Sequence, residues 1–140
     1  DACPHHGPSL AVGPAGTLHA AWFTNGNAHQ GLYYAHSRDL GASFSEARRL
    51  GTPGRQASRP FVLADVGKTW LVWKEFDGER TEIIGQVSHD DGNSWSAPRA
   101  LAATSNGSDH PLLVARQGKV YLSWLTQAES YRLIELDAGQ

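Results

Sequence analysis

The chain is 140 residues long, 40% hydrophobic and 19% charged, the composition of a folded domain and not of a disordered segment. Lys+Arg of 12 against Asp+Glu of 14 give a formal net charge of −2, without the basic excess of a nucleic-acid binder, and no apolar run is long enough to span a membrane. The single cysteine, Cys3, excludes an internal disulfide framework; the opening DACPHHGP has neither the basic nor the apolar region of a signal peptide, so none is expected within this stretch.

In chain order, the elements come as three similar units. The first opens at Pro8, turns at Gly16, runs through the apolar LHAAW to Trp22, and reaches SRDLGASF at Ser37 to Phe44. The second opens at Pro60 and reads as four strands: RPFVLAD, TWLVWKEF, TEIIGQVS and, after the turn HDDGNS, WSAPRAL. Its turns DVGK and FDGER carry glycine where a hairpin asks for positive φ. The third opens at Pro111, turns at Gly118, ends an apolar run at Trp124, and closes on YRLIEL before Gln140.

These units share one period. Trp22, Trp73 and Trp124 recur at a spacing of 51, as do Gly16, Gly67 and Gly118, and SRDLGASF matches SHDDGNSW at the same offset. No segment keeps a 3.6-residue period, so helices are not expected. Four-stranded antiparallel units at this interval are the signature of propeller blades. The chain is therefore expected to be all-β, a single partial β-propeller over 1–140 with blades at about 1–51, 52–103 and 104–140. Three blades do not close a ring, so a second copy of the chain or the remaining blades of a longer one are the expected partners. A Trp at one place in every blade reads as inter-blade core rather than a sugar-stacking platform.

The two octapeptides carry a family resemblance. Ser37, Asp39, Gly41, Ser43 and Phe44, and again Ser88, Asp90, Gly92, Ser94 and Trp95, resemble the Asp-box, or BNR repeat, of bacterial neuraminidases. The resemblance implies a sialidase-like propeller, usually six-bladed, of which this chain would be half. In that family the boxes are structural and lie on the face opposite the active site. An Asp side chain there can cap turn amides, glycine supplies the unusual φ, and the aromatic residue can pack between sheets.

The resemblance also places a binding site around the axis, at the segments that lead into each innermost strand. Here these are Cys3-Pro4-His5-His6-Gly7, Ala57-Ser58-Arg59 and Ser108-Asp109-His110, so His6, Arg59, Asp109 and His110 are expected to converge. Three functions follow. One is a binding or assembly platform without chemistry, with a carbohydrate as ligand. Another is a glycoside hydrolase of the exo-sialidase type, which resembles this fold and uses an arginine triad, a Tyr–Glu pair and an acid/base Asp. Arg59 suits a carboxylate through its bidentate fork, and Glu75 is a candidate substrate contact. Tyr121 has no evident Glu partner and no Phe/Tyr-Arg-Ile-Pro segment occurs, so the other catalytic groups would lie outside this chain. The remaining function is a copper or zinc site from Cys3, His5, His6 and His110, since thiolate with imidazole suits those ions. Asp109 would orient His110 through a ring N–H. The expected location is secreted or periplasmic.

Overall fold

A computed structural model describes residues 7–65 and 67–136; among them all regular secondary structure is β, in eleven strands. The first sheet holds β1 (Ser9–Val12), β2 (Leu18–Gly26), β3 (His29–Ser37) and β4 (Arg48–Leu50). The second holds β5 (Gln56–Asp65), β6 (Lys68–Phe76), β7 (Thr81–Ser88) and β8 (Arg99–Thr104). The third holds β9 (Leu112–Arg116), β10 (Lys119–Thr126) and β11 (Ser130–Leu136). Each sheet is an antiparallel meander with neighbours in chain order, and β5 packs beside both β1 and β9, so the first strands lie together at the centre. These are three blades around one edge of a common axis.

Burial follows from position in the stack. The middle blade is covered on both faces, and β6 is buried almost continuously, with Trp70 facing blade three and Trp73 facing blade one. Alternation of side chains along a strand places residues three apart on opposite faces. In blade three, β10 and β11 instead alternate between buried and exposed, because only one face is covered. One core between blades one and two contains Ala21, Leu32, Tyr34, Val62, Leu71 and Trp73; another between blades two and three contains Trp70, Val72, Ile83, Leu113, Leu122 and Trp124.

Two of the three repeated tryptophans are inter-blade groups, and their environments reveal a direction. Trp73 and Trp124 are each 1% exposed and pack against the preceding blade. Trp22, at the same place in blade one, has no preceding blade in the described residues; it is half-buried and stacks on Tyr33 with ring centroids 6.0 Å apart. Leu10 shows the same contrast: 62% exposed, where its counterparts Val62 and Leu113 are buried. At the other end, Leu112, Val114, Leu125, Tyr131 and Leu133 of blade three are exposed.

Two local expectations are corrected. The fourth strand of blade two starts at Arg99, not Trp95, because Trp95 turns into the seam toward Tyr34 and Pro98 has no N–H for a ladder. Pro60 does not open its unit but sits inside β5, where Arg59 and Pro60 together oppose Trp73 in a β-bulge between Ser58 and Phe61.

Candidate functional site

The bulge in β5 creates the most unusual backbone at the centre of the molecule. Pro60 cannot donate to β6, so the ladder is interrupted there, and Arg59 adopts φ of 54°, a left-handed conformation that costs a branched or long side chain about 1 kcal/mol or more. Such strain at a polar residue is a recurring property of ligand sites. The bulge re-aims Arg59 off the regular pleat, toward the neighbouring lead-in segments.

Those segments meet. Gly7-Pro8, Arg59-Pro60 and His110-Pro111, one from each blade, line a single cavity of about 400 Å³. His110 is held by its neighbour: Asp109 Oδ1 lies 2.8 Å from His110 Nδ1 and also accepts the His110 backbone N–H at 2.8 Å. The segment itself is clamped onto β10, since Asp109 N–H donates to the Leu125 carbonyl at 2.9 Å and the Trp124 indole N–H donates to the Asp109 carbonyl at 3.0 Å. From blade two, Lys74 Nζ donates to the Ser108 carbonyl at 3.0 Å. The Asp109 contact uses Nδ1 of a half-exposed ring, and a ring nitrogen such as Nε2 can accept from or donate to a hydroxyl.

The other candidates lie elsewhere. Glu75 does not line that cavity; it is fully buried, and its Oε1 accepts the Thr52 backbone N–H and the Trp73 indole N–H, both at 2.8 Å. Its Oε2 faces Arg55 at 3.9 Å, so the carboxylate ties the passage from β4 into β5 to the middle of blade two. Tyr121 is in β10, on the face of blade three that carries Val114. Cys3, His5 and His6 lie outside the described residues. Among the described residues, His110 and Asp109 are joined by no third His, Cys, Asp or Glu in a metal-binding group.

The two octapeptide turns are near copies at the opposite ends of the strands. In one, Asp39 Oδ1 accepts Ser37 Oγ–H and Ser43 N–H, both at 2.8 Å, and Ser37 Oγ accepts Gly41 N–H at 2.8 Å. In the other, Asp90 Oδ1 accepts Ser88 Oγ–H and Ser94 N–H at 2.8 Å, and Ser88 Oγ accepts Gly92 N–H at 2.9 Å. These bonds hold both carboxyls down at about 2, with the Ser43 and Ser94 hydroxyls the largest cause. A carboxyl committed to its own turn in this way is a poor proton donor or nucleophile.

Sequence reasoning missed a buried polar cluster at the blade one–two seam. His19, 0% exposed, places Nδ1 2.8 Å from Tyr34 Oη and Nε2 3.3 Å from Asp91 Oδ1, while Thr17 Oγ–H donates to Asp91 Oδ2. Burial pushes the His19 ring below its ordinary 6.5, against the opposing pull of Asp91, and burial raises the Tyr34 phenol. Beside it the Arg48 guanidinium lies over both Tyr34 and Trp95, 5.6 Å and 5.0 Å from the ring centroids. His19, Tyr34 and Thr17 are buried while Asp91 reaches solvent at the rim, and the cluster fastens one blade to the next.

No protein-family model matches this sequence, and no curated protein matches it. Solved structures do. The chain is similar to an α-L-arabinanase of Penicillium chrysogenum complexed with arabinobiose, at a TM-score of 0.69 and 20% identity, over 91% of this chain and 44% of that one. It is also similar to a Trypanosoma rangeli sialidase in complex with 2,3-difluoro-KDN, at 0.53 and 13%, over 91% of this chain and 29% of that one. A mutant of the same sialidase displaying trans-sialidase activity matches at 0.53 and 13%, over 94% and 30%. The fold is thus that of the sialidase-like β-propeller, shared with glycoside hydrolases. The chain spans less than half the length of each of these proteins.

Proposed function

We propose that this chain is part of a sialidase-like propeller that serves as a carbohydrate-binding platform, with the ligand seated where the three lead-in segments meet. The observation that carries this reading is the shared cavity of Arg59 and His110, which come from different blades. In it Arg59 would take a carboxylate through its planar fork, and His110, steered by Asp109, would meet a sugar hydroxyl. The two octapeptide turns act as Asp-boxes, which fasten hairpins and do not touch ligand. Further blades complete the ring, from a second copy or the rest of a longer chain. The exposed Leu10 and half-buried Trp22 at one end, and the exposed Leu125, Tyr131 and Leu133 at the other, support that need. A secreted or periplasmic location belongs to the same reading, since such a platform meets glycans outside the cytoplasm.

A second reading is an exo-sialidase-type glycoside hydrolase whose remaining catalytic residues lie outside this chain. It is favoured by the hydrolases among the structural neighbours. Calorimetric titration with sialic acid and release of a fluorophore from a sialoside separate the two. Binding without turnover, weakened about tenfold in Arg59→Lys, which keeps the charge and loses the fork, supports the platform. Turnover supports the hydrolase. No binding of any sugar acid rejects both.

A further inference from the structure

We infer that a second, elongated site follows the seam between blades one and two and takes an acidic polysaccharide chain, with Arg59 at its inner end and Arg49 at its outer end. This rests on the reading that the lead-in cavity binds carbohydrate, and extends it from one sugar to a polymer.

The seam holds a cavity of about 1040 Å³ that shares Arg59 with the smaller one. Its charged lining is all of one sign: Arg49, Arg55, Arg59 and Lys74, with no Asp or Glu among the lining residues, in a chain whose formal net charge is −2. Arg55 is already neutralised, because its guanidinium is bonded to Glu82 and lies near Glu75. Arg49, Arg59 and Lys74 bring the rest of the lining's basic groups. Lys74 is half-buried, and its ammonium is disfavoured first by that burial and then by Arg59, with Asp109 opposing. Two cations held together in a partly dry groove repel each other, and an anion between them removes the repulsion.

Arg49 is exposed on β4, and its guanidinium lies against Gly31: a Cβ there would come within 3.4 Å of Arg49 Nε. Glycine at that point leaves the arginine its place on the groove wall. The neutral lining is suited to sugar hydroxyls, with Gln30, Gln56, Ser58 and Thr81 as hydrogen-bonding groups and Phe76 as an apolar face. Arg49 stands on β4, the outermost strand of blade one, and Arg59 on β5, the innermost strand of blade two, so one lies toward the rim of the groove and the other toward the axis. A cavity of about 1040 Å³ is more than one sugar acid fills, and a short chain carrying a carboxylate on each unit suits a lining with an arginine toward either end.

The test is titration of the full chain with galacturonic acid, its linear trimer, a neutral galactose trimer and single-stranded DNA. The acidic trimer should bind at least about tenfold more tightly than the monomer, through one added guanidinium–carboxylate pair, and lose that gain as salt is raised. Arg49→Ala should abolish the gain and leave monomer binding within about twofold, and Arg49→Lys should restore part of it. An unchanged unfolding midpoint in Arg49→Ala assigns the loss to the groove. Equal affinity for monomer and trimer, a harmless Arg49→Ala, or equally tight neutral trimer or DNA overturns the inference. If the monomer binds and the trimer gains nothing, the lead-in cavity survives and the seam does not. If only the trimer binds, the seam survives alone; if no acidic sugar binds, both fall.

Discussion

Trp95 of blade two meets Tyr34 of blade one edge to face, with ring centroids 4.9 Å apart and planes at 76°. The residue that closes one hairpin is therefore also the key that locks its blade to the one before. Its indole N–H donates back to the Gly92 carbonyl at 3.2 Å, so turn and seam are set by the same side chain.

That double role predicts an asymmetry between two residues with the same place in the repeat. Trp95→Ala should cost about 2 kcal/mol of stability through lost contacts with Tyr34 and Arg48. Phe44→Ala should cost less than about 1 kcal/mol, because Phe44 is 49% exposed at the free face of blade one. Urea unfolding of the two variants measures the difference; equal losses would refute the assignment.

Gly92 and Gly16 form a similar pair. Both have positive φ, 87° and 85°, so alanine strains either backbone by about 1 kcal/mol. At Gly92 the new Cβ would also lie 2.2 Å from Tyr34 Oη, whereas at Gly16 nothing is within 4 Å. Gly92→Ala should therefore lose about 2 kcal/mol more than Gly16→Ala in thermal or denaturant unfolding.

The seam histidine gives the protein a pH dependence. His19 is depressed below 6.5 in the folded chain, chiefly by burial, and His36 moves the same way. An unfolded chain takes up these protons near 6.5 and the folded one only at lower pH. Stability should thus be full above 6.5 and fall as the solution is acidified below it, by at most about 1.4 kcal/mol per pH unit for each ring. His19→Gln should flatten that slope but not abolish it, His36 being retained. A slope unchanged in His19→Gln would show that the titration lies elsewhere.

The turn carboxylates act at lower pH still. Asp39 and Asp90 are held at about 2, below the ordinary 3.8, so their contribution is complete above 3.8 and lost as pH falls toward 2. Asp39→Asn and Asp90→Asn should each remove part of the acid unfolding between those values, read by circular dichroism. No change in either variant would mean the bonds to Ser43 and Ser94 do not form in solution.

The period of the fold was legible because three tryptophans hold one place in three blades, two of them under the same inter-blade packing constraint. The octapeptides were legible because a turn solves its hydrogen bonding locally, within eight residues. Bonds across sheets leave no such trace: His19 and Asp91 are 72 positions apart, and nothing near either marks the partner. Glu75 and Lys74 show the limit from the other side. They are adjacent in sequence, yet one is sealed in the blade one–two core and the other reaches the lead-in segment of blade three, and strand alternation alone does not say which neighbour each face will meet. The start of β8 was misplaced for the same reason, since the pull of Tyr34 on Trp95 is a long-range event.

The direction of the tryptophan series sets the symmetry of any assembly. Blade one ends in an exposed Leu10 beside a half-buried Trp22, and blade three in exposed Leu112, Val114, Leu125, Tyr131 and Leu133, so the two ends carry different apolar surfaces. A ring closed by two copies would set blade one of each against blade three of the other, at two contacts related by the twofold axis. A head-to-tail contact that fails to return to its start keeps growing. In such an assembly the rotation from one blade to the next decides between a closed disc and a fibre.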